Sequence, residues 1–310
     1  MAISDAIRFE RILFATDFTA ASIKALPYAE AMTRRFGATL FVAHIIPPEQ
    51  YGSVPVEQRD AALSAMRQEA QQRIQAMMAT ANFEAIPYQI LVVHGDVLPV
   101  LSSIAEERNV DLLVAGTRGR HGLQKLVSGS LAEEVYIEAA RPVLLVGPEV
   151  TAAPESEWHI ERILCIPDLE SESGGALRYA YALAAAYSAK LYLLHLVDNP
   201  WAEPLSTRMP HEAFFRMRLL EKGWPDKQDG IEPEFLVEFG STETQALAMA
   251  RKHDIQMIIT SVRSAGHPDL AAHLPGPLAY NIVIHAQCPV LVVHDSWGAT
   301  SDRKSTGKTA

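Results

Sequence analysis

The sequence predicts an α/β chain built as two tandem, doubly wound parallel sheets of five strands each. Three observations predict it. Short apolar runs without polar alternation, such as LLVA at residues 112–115 and VLLV at 143–146, read as strands buried on both faces, as strands of a parallel sheet are. Segments with apolar residues every three or four positions separate those runs, and strands alternating with helices build a parallel sheet covered on both sides. The whole plan then occurs twice; a period of about 150 residues is too long for a solenoid unit and means tandem domains.

Composition bounds the function classes. With 310 residues, 48% hydrophobic and 21% charged, the chain suits two domains with full cores. A net charge of −10 argues against a general nucleic-acid binder, which carries a basic face, and leaves room for a local basic pocket. The N-terminal stretch MAISDAIRFE has no long apolar region, and nothing approaches the ~20 apolar residues of a membrane span, so a cytoplasmic protein with no membrane partner is expected. Cys165 and Cys288 lie in or beside separate apolar runs and no CxxC occurs, which reads as two reduced core thiols.

In the first half, residues 11–16 (RILFAT) form strand one, ending at Asp17. Thr19 or Ser22 caps a helix over residues 21–36, with Ile23, Leu26 and Met32 on its apolar side. Pro27 falls inside it and implies a kink or a late start, and Gly37 ends it. Residues 39–46 (TLFVAHII) are strand two, followed by a loop over 47–55 containing Pro47, Pro48 and Pro55. A long helix over 56–82 carries Leu63, Met66, Ala70, Ile74 and Met77 on one stripe. Strand three covers 88–94, Gly95 and Asp96 turn the chain, and a helix over 97–108 has Pro99 in its first turn. Residues 112–115 are strand four, a helix runs from about residue 123 or 130 to 139, and 142–146 are strand five.

The turn after strand four is rich in glycine and basic residues. Gly116, Gly119 and Gly129 are spaced by two and then nine residues, and Ser130 follows. A strand that ends in glycines and feeds a helix presents unpaired amides, and without Cβ atoms these close on a phosphate aided by the helix dipole. Arg118, Arg120, His121 and Lys125 bring positive or protonatable groups to the same place. Glycines after a strand also make ordinary turns; the basic company and Ser130 favour the phosphate reading.

Residues 151–158 (TAAPESEW) read as a linker, after which ERILCIPDLES echoes ERILFATDFTA, and CPVLVVHD echoes RPVLLVGP. Asp17 thus pairs with Asp168, His44 with His195, Gly95 with Gly240, and Gly129 with Gly276. The stretch from residue 299 is polar and without periodicity, a disordered tail.

Gly116, Gly119, Gly129 and Ser130 match the motif G-2x-G-9x-G-[ST] without insertion, and so resemble the ATP-binding members of the universal stress protein family. The resemblance covers both halves and identifies a tandem member: residues 1–150 a domain with an intact nucleotide motif, 151–298 a domain with a degenerate one, 299–310 the tail. It implies an adenine-nucleotide alpha-hydrolase-like fold of strand order 3-2-1-4-5, with ligand at the carboxyl ends of strands one and four, where the order reverses. It further implies that Ala15, Thr16 and Asp17 line the nucleoside and that Ile45 holds adenine through its backbone. Gly116, Thr117, Arg118, Gly119, Arg120, His121 and Gly122 would form the phosphate loop, and Gly129, Ser130 and Leu131 the following helix start. ATP is the implied ligand, with magnesium or manganese carried by its phosphates and no metal site of the protein's own. Because the family uses the fifth-strand edge for dimers, an intramolecular pseudo-dimer, or a homodimer of tandem chains, is also implied.

Some residues carry competing readings. Asp17 can serve ribose, adenine or a phosphate-bound metal, or it can cap the next helix; its place at the switch point favours the ligand. His44 and His195 sit inside apolar runs and read as core histidines bonded to backbone, and His94 receives no role. His267 and His273 lack a third ligand at zinc spacing. In the second half Ser261 and Ser264 replace Gly116 and Gly119, two residues are inserted before Gly276, and Pro277 stands where Ser130 stood. Nucleotide is therefore expected in the first domain alone. No Walker loop occurs, since the GKT at residue 307 lacks its upstream glycine. The expected function is a regulatory ATP-binding stress-response protein whose second domain is scaffold or partner. The alternatives are a slow ATPase or autokinase of the same fold, and a module for a small molecule other than a nucleotide.

Overall fold

β1 (Arg11–Ala15) occupies the middle of the first sheet, with Ile12, Leu13 and Phe14 completely buried. A strand covered on both faces has no polar side, which is why this run shows no alternation. The structure, a computed structural model, describes residues 7–80, 86–117, 141–151, 154, 157–169, 174–197, 208–224, 230–262 and 276–294.

After β1 the chain turns through residues 16–19 into α1 (Ala20–Phe36), whose N-cap is Thr19. The helix does not start late, and Pro27 lies within it. Gly37 ends it in the left-handed region at φ 62°. The amides of Gly37 and Ala38 return to the carbonyls of Arg34 and Thr33, at 3.3 and 3.0 Å, so the last turn closes on itself. β2 (Thr39–Ile46) pairs parallel with β1, from Arg11 against Thr39 to Ala15 against Ala43.

The loop expected after β2 contains one turn of helix, α2 (Pro48–Tyr51). Proline is tolerated there because the first amides of a helix have no partner inside it. α3 (Val56–Thr80) buries Leu63, Ala70, Ile74 and Met78. Its stripe ends on Met78 and not on the expected Met77, since steps of four from Ala70 stay on the face that meets the sheet. β3 (Tyr88–His94), α4 (Val97–Glu107), β4 (Leu112–Gly116) and β5 (Val143–Val146) follow. The strands lie parallel in the order β3-β2-β1-β4-β5, the order that the resemblance implied. The helix expected between β4 and β5 lies outside the described residues.

At the amino end of this sheet, Asp111 ties the start of β1 to the start of β4. Its Oδ2 accepts the amides of Glu10 and Arg11, each at 2.9 Å, while Arg11 Nε donates to the Asn109 carbonyl at 2.7 Å.

The second half repeats the plan with β6 (Arg162–Ile166), α5 (Gly175–Tyr187), β7 (Lys190–Val197), α6 (Arg208–Glu221) and β8 (Glu234–Phe239). α7 (Thr242–Lys252), β9 (Met257–Val262), α8 (Gly276–His285) and β10 (Val290–His294) complete it. Its parallel strands follow the order β10-β9-β6-β7-β8. Gln256 takes the place of Asp111: its Oε1 accepts the amides of Glu161 and Arg162 at 3.2 and 2.8 Å, and Arg162 Nε donates to the Asp254 carbonyl at 3.1 Å.

The chain divides into two compact units, one around residues 8–146 and the other from His159 onward. Trp158, in the stretch read as a linker, belongs to the first unit and sets its ring edge-on to Tyr28, centroids 4.9 Å apart at 80°. Cys165 and Cys288 are free and buried, and burial pushes both thiols up, Cys288 to about 12. The tail over residues 299–310 lies outside the described residues.

Candidate functional site

The first sheet reverses its winding at β1. The chain builds outward through β2 and β3 on one side and then returns to place β4 and β5 on the other, which opens a crevice at the carboxyl ends of β1 and β4. Ala15 pairs with Ala115, so Thr16 and Asp17 emerge beside Gly116 and Thr117. On its other side Ala15 pairs with Ala43, two residues before Ile45. The structure thus brings Ala15, Thr16, Asp17, Ile45, Gly116 and Thr117 to one end of the sheet. Arg118, Gly119, Arg120, His121, Gly122, Gly129, Ser130 and Leu131 lie outside the described residues.

Thr16 is framework. It is 5% exposed; its amide donates to the Ala43 carbonyl at 2.9 Å and its carbonyl accepts from His44 Nδ1 at 2.8 Å. Its hydroxyl lies 3.0 Å from that of Ser22 and accepts the Phe18 amide at 3.1 Å. Asp17 is exposed, and its Oδ1 accepts the amide and the hydroxyl of Thr19, at 3.0 and 2.5 Å. Thr19 in turn caps α1 by accepting the Ser22 amide at 3.4 Å. The capping role open to Asp17 therefore falls to Thr19, and Asp17 holds the cap in place.

Gly116 has a packing reason as well as any ligand reason. A Cβ there would stand 1.8 Å from the Ala21 carbonyl oxygen, so α1 can begin where it does only beside a glycine. Thr117, 5% exposed, donates its amide to the Val146 carbonyl at 2.9 Å; that amide belongs to the sheet and is not a free loop donor. Its hydroxyl oxygen is buried and has no hydrogen-bond partner among the described residues. Ile45 is buried within β2, opposite Val93 of β3.

Sequence reasoning missed a stack beside these residues. Phe18 has φ 61°, and its ring lies over His44 with centroids 4.4 Å apart at 37°. The Arg73 guanidinium, from α3, covers the same ring at 4.1 Å from its centroid. Burial holds the His44 imidazole below the usual histidine range; the bond to Thr16 opposes this, Arg73 adds to it, and Asp17 opposes it. A bond to a carbonyl requires a proton on Nδ1, which selects the Nδ1–H tautomer for the neutral ring. His44 has the backbone-bonded core role expected of it. Its counterpart His195 is half-buried and stacks on Phe215, centroids 5.0 Å apart at 25°. Phe18 was visible in the sequence only as a neighbour of Asp17, and nothing local marked Arg73.

His94 accepts from Arg67 Nη2 at 2.8 Å, with Tyr51 edge-on at 5.7 Å. Together the described residues gather a carboxylate, a buried hydroxyl and an aromatic ring bearing a cation at one end of the sheet. Among the described residues no three His, Cys, Asp or Glu side chains are placed to hold a metal ion, and no helix is long and apolar enough to cross a membrane.

The sequence model of the universal stress protein family matches residues 8–147 and again residues 159–294. Universal stress protein A homolog 1 of Coxiella burnetii is 30% identical over 145 residues, spanning 45% of this chain and 97% of that protein. A universal stress protein of Methanocaldococcus jannaschii is 25% identical over 139 residues, 44% of this chain and 82% of the other. Among solved structures, a universal stress protein from Archaeoglobus fulgidus aligns over 93% of this chain and 97% of its own, with a TM-score of 0.68 and 19% identity, a likeness of fold. Two family matches in succession, each on a parallel sheet of the same order, make this chain a tandem member of the universal stress protein family.

Proposed function

We propose that the first domain binds an adenine nucleotide, ATP with magnesium or manganese on its phosphates, and that the protein acts in stress response by binding and not by turnover. The observation that supports this reading is the Thr117 hydroxyl, buried without a partner among the described residues at the end of β4, beside the strand that leads to Asp17. Such a group costs roughly 1–3 kcal/mol, and a ligand oxygen bonded to it offsets that cost. The residues that follow suit an anion by composition: Arg118, Gly119, Arg120 and His121 supply small and basic groups, and Ser130 a hydroxyl. The metal rides on the phosphates, and its chemistry when bound is to neutralise their charge.

The second domain has Ser261 and Pro277 where the first has Gly116 and Ser130, so it serves as scaffold or partner surface, with one nucleotide per chain. Calorimetric titration of the full chain with ATP and magnesium tests this. One site per chain is expected, abolished by Gly119→Val. Two equivalent sites, or unchanged affinity in that variant, would overturn the reading. Mass spectrometry of the denatured protein identifies any nucleotide that co-purifies.

A further inference from the structure

Phe18 stands in a backbone conformation that aromatic residues seldom adopt, left-handed at φ 61° in a turn without glycine. Strain of this kind persists only where the surroundings impose it, and it gathers at ligand sites. Here the surroundings are identifiable. The Phe18 amide is held by Thr16 Oγ1 at 3.1 Å, and on its other side Asp17 grips Thr19 through two hydrogen bonds. Held this way, the half-buried ring lies across His44, which is itself pinned to the Thr16 carbonyl. The ring therefore has a fixed floor. The guanidinium of Arg73, an exposed side chain on a long flexible stem, also covers the ring at 4.1 Å from its centroid. An exposed cation over a ring is a weak contact, and guanidinium planes and bases compete for the same aromatic face.

We propose that the Arg73-covered face of Phe18 is the stacking platform for the planar heteroaromatic ring of the first-domain ligand, and that Arg73 yields this face as the ring enters. The proposal rests on the nucleotide reading of the site and adds where the base sits. Ile45 follows His44 directly, so the platform lies on the side of β1 where backbone contacts to the base are expected. The stack also accounts for the strain: a platform must be held at a set height, and the left-handed turn provides that.

The test uses the full chain with two probes, adenosine and tripolyphosphate. Phe18→Gly suits the left-handed backbone and removes the ring, whereas Phe18→Leu keeps bulk without an aromatic face. Both should weaken adenosine binding by about tenfold and leave tripolyphosphate binding unchanged. Phe18→Trp should retain adenosine affinity and show indole fluorescence quenched by adenosine, measured as a difference from the parent. If the leucine variant binds adenosine as tightly as the parent, or saturation leaves the new indole unquenched, the platform is refuted while the nucleotide site stands. A parent chain that binds neither probe refutes the nucleotide site and the platform with it.

Discussion

The Nδ1 atom of His44 donates to the carbonyl oxygen of Thr16 over 2.8 Å and so joins the end of β2 to the first residue beyond β1. This bond orients the floor on which Phe18 rests, and it exists only while the imidazole keeps its Nδ1 proton and finds its acceptor in place. A single buried ring thereby couples two strand ends to the turn that carries Asp17.

His44 should make the first domain acid-labile. Burial lowers its pKa from the model-peptide value of 6.5, so the fold binds the proton less well than the unfolded chain does. As pH falls through about 6.5, the unfolded state gains a proton that the folded state refuses; stability from this source is complete above that window and declines below it. His195 and His253 are shifted in the same direction, each chiefly by burial. The share of His44 is therefore read against His44→Asn, which keeps a donor and does not titrate. Urea melts at about pH 7.5 and about pH 5.5 should show the parent losing more stability than the variant. Equal losses would contradict this.

Asp111 and Gln256 do one job in two domains, each accepting two strand-leading amides. Burial raises the Asp111 pKa, so its share of stability is greatest at low pH and declines as pH rises through the folded value. Asp111→Gln should hold both amides without a buried charge and match or exceed the parent in stability at neutral pH. Asp111→Ala leaves the amides of Glu10 and Arg11 without this acceptor and should cost about 1–3 kcal/mol in chemical denaturation. A glutamine variant as weak as the alanine one would refute the shared role.

Gly116→Ala tests the packing reason for that glycine. The added Cβ would overlap the Ala21 carbonyl, so α1 or β4 must shift. The expected loss is roughly 1–3 kcal/mol, the usual scale of overpacking, with or without ligand. Denaturation curves that superpose on those of the parent would show that the turn yields freely.

Thr117→Val separates fold from binding at the same position. Valine keeps the shape and removes a buried hydroxyl that has no partner among the described residues, so the free protein should hold its stability or gain up to about 1 kcal/mol. ATP affinity should fall about tenfold, the worth of one hydrogen bond. A destabilised variant with undiminished affinity would show that the hydroxyl serves the fold.

Much of the architecture is local and was therefore legible in residues alone. Ile12, Leu13 and Phe14 announce a doubly covered strand because no polar alternation interrupts them, and Thr19 and Gly37 announce the two ends of a helix through side-chain and backbone chemistry within one turn. The doubling of the plan was legible for the same reason, each echo being a contiguous stretch. Tertiary structure alone decided what meets across distance. It set Arg73 over Phe18, bonded His44 to the Thr16 carbonyl, and committed the Thr117 amide to Val146. It also showed Gly116 to be needed by Ala21, although in sequence a glycine that admits a helix looks the same as one that admits a phosphate. Caps and strand runs are written in neighbouring residues, whereas a contact between distant segments depends on where packing brings their backbones, and no local spacing records that.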